Sequence, residues 1–424
     1  MPAFSVQAMR ALVPIVFKKA TELRDRWNSI MREANVKPGE GHLINVCSWA
    51  SRATFDVMGS AGFDYEFNAI QNEDNELLKA YTEMFEVAIS RQSGGWRTTL
   101  ALYIPLWDKL LPDNTSRFVA KCQKVIQRVA GKLIQEKKRK MADAEEKGET
   151  YQGKDLLSLL LKSNSSVDLP PEQRISDEDI LHMINTFMFA GTDTTSLAMT
   201  WTLYLLAKFP VVQDRLRTEL RSVLPSTSLD SLTQDEIQSL YATIADLPYL
   251  DNVIRETLRL IPPVHSSIRV ATKDDVVPAS SPFKRKNADG TVIEEDVKQI
   301  LVPKGTFIHV PIEGFNHDKG LWGDDAWNFN PDRWDDLPEA VKALPGLYSH
   351  ILTFSAGPRA CIGLRMSTIE LKSFLFTLVA NFKFMDSETH KIGKANVVLT
   401  RPYVSGKENE GSMLPLVVTP YVTS

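Results

Sequence analysis

Cysteine is scarce in this chain: Cys47, Cys122 and Cys361 are the whole complement of 424 residues. Three cysteines so far apart, and odd in number, make no disulfide framework. Long apolar runs are missing too, since no uncharged stretch reaches the roughly 18 residues of a membrane span. The most apolar long segment, 183–207, carries Asp193 near its middle and reads as a buried core helix. At the N-terminus only Ala11–Phe17 is apolar, flanked by Arg10, Lys18 and Lys19. With no small-residue cleavage site behind it, this is not a signal peptide. No charge of one sign dominates: 49 Lys and Arg face 53 Asp and Glu, a net −4 that offers nucleic acid no basic field. The 21 glycines and 23 prolines are scattered, which excludes collagen-like and low-complexity classes, and no internal repeat is present. The rest is an ordinary globular composition, 43% hydrophobic and 24% charged, in a chain long enough to bury its core without staples.

The first 265 residues read as successive helices. Amphipathic spacing predicts them over 6–35 and 43–60, and more weakly over 74–91 and 115–141. A short leucine-rich helix is expected over 155–162. Ser176, with Asp179 three residues on, is a variant capping box and starts a helix that Pro210 stops near Lys208. At about 1.5 Å per residue it spans about 48 Å, and its apolar middle should cross the centre of the molecule. Further helices are predicted at 211–223, 233–240 and 246–260. After Pro262-Pro263 the pattern turns to strands, at 266–271, 292–301 and 306–310, with turns at Asp289-Gly290 and Lys304-Gly305. A Trp-, Asp- and Pro-rich stretch, a last helix over 364–380 and short strands follow. Cys47 and Cys122 fall on helical periodicity and read as core residues.

Cys361 sits differently, in Phe354-Ser355-Ala356-Gly357-Pro358-Arg359-Ala360-Cys361-Ile362-Gly363. This is a strand end, a glycine-bearing turn, a cysteine and a helix start. A thiolate there is favoured by the helix dipole and backbone N–H groups. Gly357 and Gly363 allow close approach of backbone to a large flat ligand, Phe354 is placed to shield the sulfur, and Arg359 to pair with a carboxylate. In the middle of the long helix stands Ala190-Gly191-Thr192-Asp193-Thr194-Thr195. Glycine costs about 1 kcal/mol there relative to alanine. An unpaired aspartate costs more, and Thr194 is able to bond back to the Ala190 carbonyl and bend the helix. Three unfavourable choices together point to a functional kink bearing an acid and an alcohol. Glu256-Thr257-Leu258-Arg259 places acid and base on one helix face, and Phe329-Asn330-Pro331-Asp332-Arg333-Trp334 follows downstream.

These segments match FxxGxRxCxG, AGxDTT, ExxR and PDRW in that order, and the chain resembles the cytochrome P-450 family along essentially its whole length. The resemblance implies a mainly α fold with a small β-rich region, one domain over 1–424 with a helical part (1–265) and a mixed β and haem-loop part (266–424). Haem b would lie between the long helix and the loop, with Cys361 as the iron ligand. Phe354, Gly357, Gly363, Ala190 and Gly191 would border the haem, and Arg359 and Arg269 would pair with its propionates. Asp193 and Thr194 would deliver protons for dioxygen activation, and Glu256, Arg259 and Arg333 would anchor the haem-loop region. Substrate-facing residues would be Ile184, Phe187, Met188, Val264, His265 and Met413, while His317 reads as a loop residue. The reaction implied is insertion of one atom of dioxygen into an apolar substrate. Electrons would come from NADPH through a cytochrome P-450 reductase, at the cytosolic face of the endoplasmic reticulum membrane. A haem-thiolate isomerase or dehydratase is the alternative within the family. Pro2-Ala3-Phe4-Ser5 resembles the segment that follows a propionate-binding helix, so an N-terminal region, part of the larger sheet and a membrane anchor are expected to be lacking. An inactive remnant is therefore a third reading. The polar insert 280–297 suggests a eukaryotic, fungal branch.

Overall fold

The computed structural model describes residues 2–90, 114–148, 151, 153, 155–165, 174–279, 283–287, 289–295, 299–344 and 348–421. Residue 91 of the third expected helix and parts of the polar insert lie outside them. Helices dominate the first 260 residues: α1 (Val6–Glu33), α2 (Val46–Phe63), α3 (Glu76–Ser90), α4 (Asn114–Glu146), α5 (Leu156–Ser165), α6 (Asp177–Lys208), α7 (Pro210–Ser222), α8 (Gln234–Ala245) and α9 (Pro248–Leu260). The last long helix, α10, runs Leu364–Asn381, with only short helical turns between it and α9.

The long helix is the axis. Ser176 caps α6 by accepting from the Asp179 backbone N–H at 3.1 Å. Asp179 accepts from the Ser176 hydroxyl at 2.7 Å, which stands in place of the reciprocal backbone bond of a full box. The N-terminal part of α6 (Ile180, Ile184, Met188) is buried in one apolar cluster with α2 to α5, and the C-terminal part (Leu197–Ala207) in a larger one with α1, α2, α7, α9 and α10. The segment Ala190–Thr195 lies where the two cores part. No break interrupts α6 there, so the expected kink takes the form of a continuous helix with one added side-chain bond. α2 packs along α6, and α1 along α10.

Prediction over 43–60 needs correction. Residues His42–Asn45 form strand β1, and the helix starts only at Val46. β1 pairs antiparallel with the C-terminal strand β11 (Pro415–Pro420), which also pairs with β8 (Phe382–Asp386). The partner of β1 comes from the other end of the chain, which periodicity within one segment does not reveal. The helical and mixed parts thus share a sheet. Four further two-stranded ladders follow: β2 (Ser267–Val270) with β7 (Phe307–Val310), β3 (Asp275–Pro278) with β6 (Gln299–Val302), β4 (Phe283–Lys286) with β5 (Val292–Glu295), and β9 (Ile392–Asn396) with β10 (Thr400–Val404). The expected strand over 292–301 is in fact two, β5 and β6, on different partners.

Two polar devices position the site. The N-terminus of α9 has Pro248 at its first position, and the Glu219 carboxylate of α7 accepts from the N–H groups of Tyr249 (2.9 Å) and Leu250 (2.8 Å). At the end of α2, a Cβ on Gly59 would meet the Phe67 ring at 2.4 Å, so the chain doubles back there only over glycine.

Candidate functional site

Glu256 and Arg259 project from α9 into a fully buried position, both 0% exposed. Arg259 donates to the two carboxylate oxygens of Glu256 at 2.9 and 2.8 Å. Arg333 reaches the same carboxylate at 3.4 Å, and Trp334 Nε1 donates to it at 3.2 Å. The expected triad therefore assembles, with two additions that sequence reasoning missed. Asp325 takes a bidentate bond from Arg333, both contacts 2.8 Å, so two carboxylates balance two guanidinium groups. Trp322, whose carbonyl accepts from Arg333, lies under Arg259 with its ring centroid 5.0 Å away.

This cluster holds the cysteine loop through a chain of hydrogen bonds. Arg259 donates to the Asn316 carbonyl at 2.8 Å. The Asn316 side chain accepts from Leu352 N at 3.0 Å and donates to Thr353 Oγ1 at 2.9 Å. Thr353 in turn donates to the Leu258 carbonyl of α9 at 2.7 Å. The loop then turns tightly, with Ser355 at φ 60° and Gly357 at φ 69°, and Cys361 N closes it on the Phe354 carbonyl at 2.8 Å. His317, expected as a loop residue, is buried and fixes the end of α9 through its contact with the Leu260 carbonyl at 2.8 Å.

Cys361 faces a cavity of about 990 Å³. Ala190, Gly191, Thr194 and Thr195 of α6 line the same cavity, as do Arg359 and Arg269. Phe354, Gly363, Phe187 and Val264 line it as well. The cavity thus brings together most of the residues the sequence singled out. Gly357 is the exception within the loop, and its place in the turn accounts for it. Ala190 is exposed although it sits mid-helix, because the cavity is what it faces. Gly191 serves packing as well: a Cβ there would meet the Met58 sulfur of α2 at 2.3 Å. Thr194 donates to the Ala190 carbonyl at 2.7 Å, as its position on the helix allows.

Other expectations change. Ile184 and Met188 are buried in the second core and do not line the cavity. His265 contacts the Val397 carbonyl at 3.2 Å, and Met413 donates its N–H to the Pro402 carbonyl, both away from the lining. Asp193 is also off the wall: its carboxylate is paired with Arg401 of β10. Burial raises the Asp193 carboxyl above its ordinary range, and Arg401 opposes this. Lining that sequence reasoning missed includes α1 (Ala8, Leu12, Ile15), Met58 of α2, Leu159 of α5 and Glu370 of α10. No motif marks these positions, and only packing brings them to the cavity.

The sulfur itself departs from the simple helix-dipole picture. Burial pushes the Cys361 thiol up, and the N–H groups of Gly363 and Leu364 pull it back only in part. In the chain alone the thiol form is favoured, and a bound metal cation is what would turn it into a thiolate. Among the described residues no cluster of three or more His, Cys, Asp or Glu side chains could hold a bare metal ion. One thiol, a largely apolar cavity and two arginines in its lining fit an iron porphyrin, which Cys361, Arg359 and Arg269 would be the residues to hold.

Glu370 is fully buried, neither carboxyl oxygen has a hydrogen-bond partner, and burial holds its carboxyl well above the usual range. The folded chain therefore keeps this proton, while the unfolded chain loses it above about pH 4.5. Folding stability from this group is intact below that value and falls as pH rises towards the folded pKa, by up to about 1.4 kcal/mol per pH unit. The neutral isostere Glu370→Gln should match the parent in urea denaturation at pH 4 and exceed it increasingly at pH 7 and 8. Parallel curves at all three values would refute a neutral Glu370.

Among the described residues no helix is long and apolar enough to cross a membrane. Residues 1–404 match the cytochrome P450 family. Cytochrome P450 monooxygenase 128 of Postia placenta is 40% identical over 433 residues, covering 99% of this chain and 74% of that protein. A ganoderic acid synthetase of Ganoderma lucidum is 32% identical, covering 90% of this chain and 69% of its own length. A cytochrome P450 crystal structure superposes with a TM-score of 0.72 at 24% identity, over 99% of this chain and 80% of the other. The fold, the ordered motifs and these relatives agree: the chain belongs to the cytochrome P450 family and is a cytochrome P450 monooxygenase.

Proposed function

We propose that Cys361 would hold the iron of haem b and that the chain inserts one atom of dioxygen into an apolar organic substrate. One observation carries this: Cys361, Ala190, Gly191, Thr194 and Thr195 of α6, Arg359 and Arg269 all line one cavity. When bound, a thiolate-ligated haem supplies the electron density that favours O–O cleavage. The chain's own residues do the rest. Arg359 and Arg269 orient the porphyrin through its carboxylates, with Arg269 steadied by the Ile268 carbonyl at 2.9 Å. Phe354, 9% exposed and edge-on to Tyr348 at 5.3 Å, keeps water from the sulfur side. Phe187, Val264, Leu12 and Ile15 give the cavity its apolar character. The Thr194 hydroxyl, at the cavity wall, passes protons that Asp193 takes up. Electrons come from NADPH through a flavoprotein reductase, and the working protein sits at the cytosolic face of the endoplasmic reticulum membrane.

The reduced carbon monoxide spectrum of the haem-loaded chain tests the ligand, and a red-shifted Soret band is expected. NADPH-dependent oxygenation with added reductase then tests the reaction, and a chain that converts hydroperoxides without reductase would be an isomerase instead. Thr194→Ala should leave haem content unchanged while diverting electrons to peroxide. Product per NADPH should fall within the roughly 10²–10⁴-fold worth of a positioned proton-transfer group, and Thr194→Ser should recover most of it. Undiminished coupling in Thr194→Ala removes the proton role.

A further inference from the structure

Two side chains of α2, one turn apart, meet α6 within Ala190–Thr195. Met58 lies over Gly191, where a Cβ would strike its sulfur. Thr54 is fully buried, and its hydroxyl lies 3.0 Å from the Thr192 carbonyl of α6. The same hydroxyl lies 3.0 Å from the Ala50 carbonyl and 3.2 Å from that of Ser51, both in its own helix. It has one proton to give. Within α6, Thr194, Thr200 and Thr202 bond four residues back, to the carbonyls of Ala190, Ser196 and Ala198. Thr54 has that local choice and reaches a second helix as well. Thr192 leaves its own hydroxyl without a partner although it is only 3% exposed. What links this residue to α2 is the bond from Thr54 to its carbonyl. Thr54 itself stands behind the wall, outside the cavity lining.

We propose that Thr54 is a positioning residue for the cavity wall, tying the Thr192 carbonyl to α2 and so fixing the turn of α6 between Gly191 and Thr194. A carbonyl oxygen has two lone pairs, so Thr192 accepts the hydroxyl without giving up the N–H of its own helix ladder. The location is what makes one bond matter. Apolar packing is non-directional, and here it is divided between two cores. Ala50, Ala53 and Val57 of α2 belong to one, Phe55 and Met58 to the other. Where the two part, packing sets the rotation of α6 about its own axis only loosely, and a directional bond sets it firmly. Thr54→Val keeps the volume and loses the proton, and rotation of α6 would then carry the Thr194 hydroxyl off the wall. Thr54 therefore acts on the alcohol through Thr192. This rests on the role proposed for Thr194, and its test is separable from that role because it requires no turnover.

Amide hydrogen exchange of the full chain as purified, read by mass spectrometry along α6 and α9, provides the test. Thr54→Val should speed exchange over 190–196 about two- to tenfold, the worth of one intramolecular hydrogen bond, and leave 200–207 and α9 at the parent rate. Thr54→Ser keeps the hydroxyl and should match the parent throughout. Unchanged exchange over 190–196 in Thr54→Val overturns the proposal. A rise spread evenly over α6 and α9 does so too, since it marks general destabilisation, as does Thr54→Ser behaving like Thr54→Val. Should Thr54→Val fail to fold, Thr54→Cys, close in size and a weak donor, carries the same comparison. In the loaded enzyme with reductase, Thr54→Val should lower product per NADPH about fivefold, less than the roughly 10²–10⁴-fold worth of the proton-transfer group itself, and Thr54→Ser should restore it. Undiminished coupling in Thr54→Val beside diminished coupling in Thr194→Ala overturns the link to the alcohol. If Thr194→Ala leaves coupling intact while the exchange pattern holds, the Thr194 role fails and the tie between α2 and α6 survives.

Discussion

Glu256→Ala is expected to cost about 3–5 kcal/mol of folding stability, read as a lower urea midpoint, because it strands the buried Arg259 guanidinium without a counter-charge. Glu256 accepts from Arg259, Arg333, Trp334 and the Asn330 N–H at once, and it has no exposed surface. Arg333 keeps Asp325 after the substitution, whereas Arg259 keeps only carbonyl oxygens. Damage should therefore centre on Arg259 and pass through Asn316 to Leu352 and Thr353, the approach to the cysteine loop. Haem retention should fail at lower urea than the loss of helical signal from α1 and α2, which lie outside this network. Glu256→Gln should be milder, since its carbonyl oxygen still accepts while the charge is lost. A midpoint shift worth less than about 1 kcal/mol in Glu256→Ala, the scale of an exposed pair, would remove the anchoring role.

The second large effect concerns Cys361. Cys361→Ala should abolish the red-shifted carbon monoxide band completely, because no other cysteine lines the cavity among the described residues, and a thioether such as that of Met58 or Met366 cannot become a thiolate. Cys47 and Cys122 are both buried within helical cores and do not line the cavity. Cys361→His, which offers a neutral nitrogen donor, should retain haem with an unshifted band. The fold itself should be nearly indifferent, since Cys361 is exposed to the cavity, its N–H bond to the Phe354 carbonyl survives the substitution, and its sulfur meets only the N–H groups of Gly363 and Leu364 at the start of α10. Circular dichroism of Cys361→Ala should therefore match the parent. Survival of the shifted band in this variant refutes the ligand assignment outright.

Much of the site was legible because its residues are costly in isolation. A glycine, an aspartate and a threonine in the middle of an apolar helix, or a cysteine inside a glycine-bearing turn, survive only where something compensates them. Pairs that are local in sequence, such as Glu256 with Arg259 or Ser176 with Asp179, follow from helix spacing. Helix limits were mostly right to within a few residues, since long amphipathic periodicity and capping residues act over one or two turns. Where prediction erred, the deciding partner was distant. The His42–Asn45 strand exists because β11 pairs with it, and nothing in residues 42–45 announces that.

Composition, helical periodicity and four ordered motifs determined, without any coordinates, the helical class and the long central helix, and named the candidate chemistry-bearing residues. Tertiary structure alone decided which of them meet. It placed Trp334 against Glu256 and Asp325 against Arg333, turned Asp193 to Arg401 instead of the cavity, and buried Glu370 without a partner. The physical reason is range. Backbone propensities and capping act across a few residues, whereas desolvation and ion pairing depend on groups that lie 208 positions apart in the case of Asp193 and Arg401.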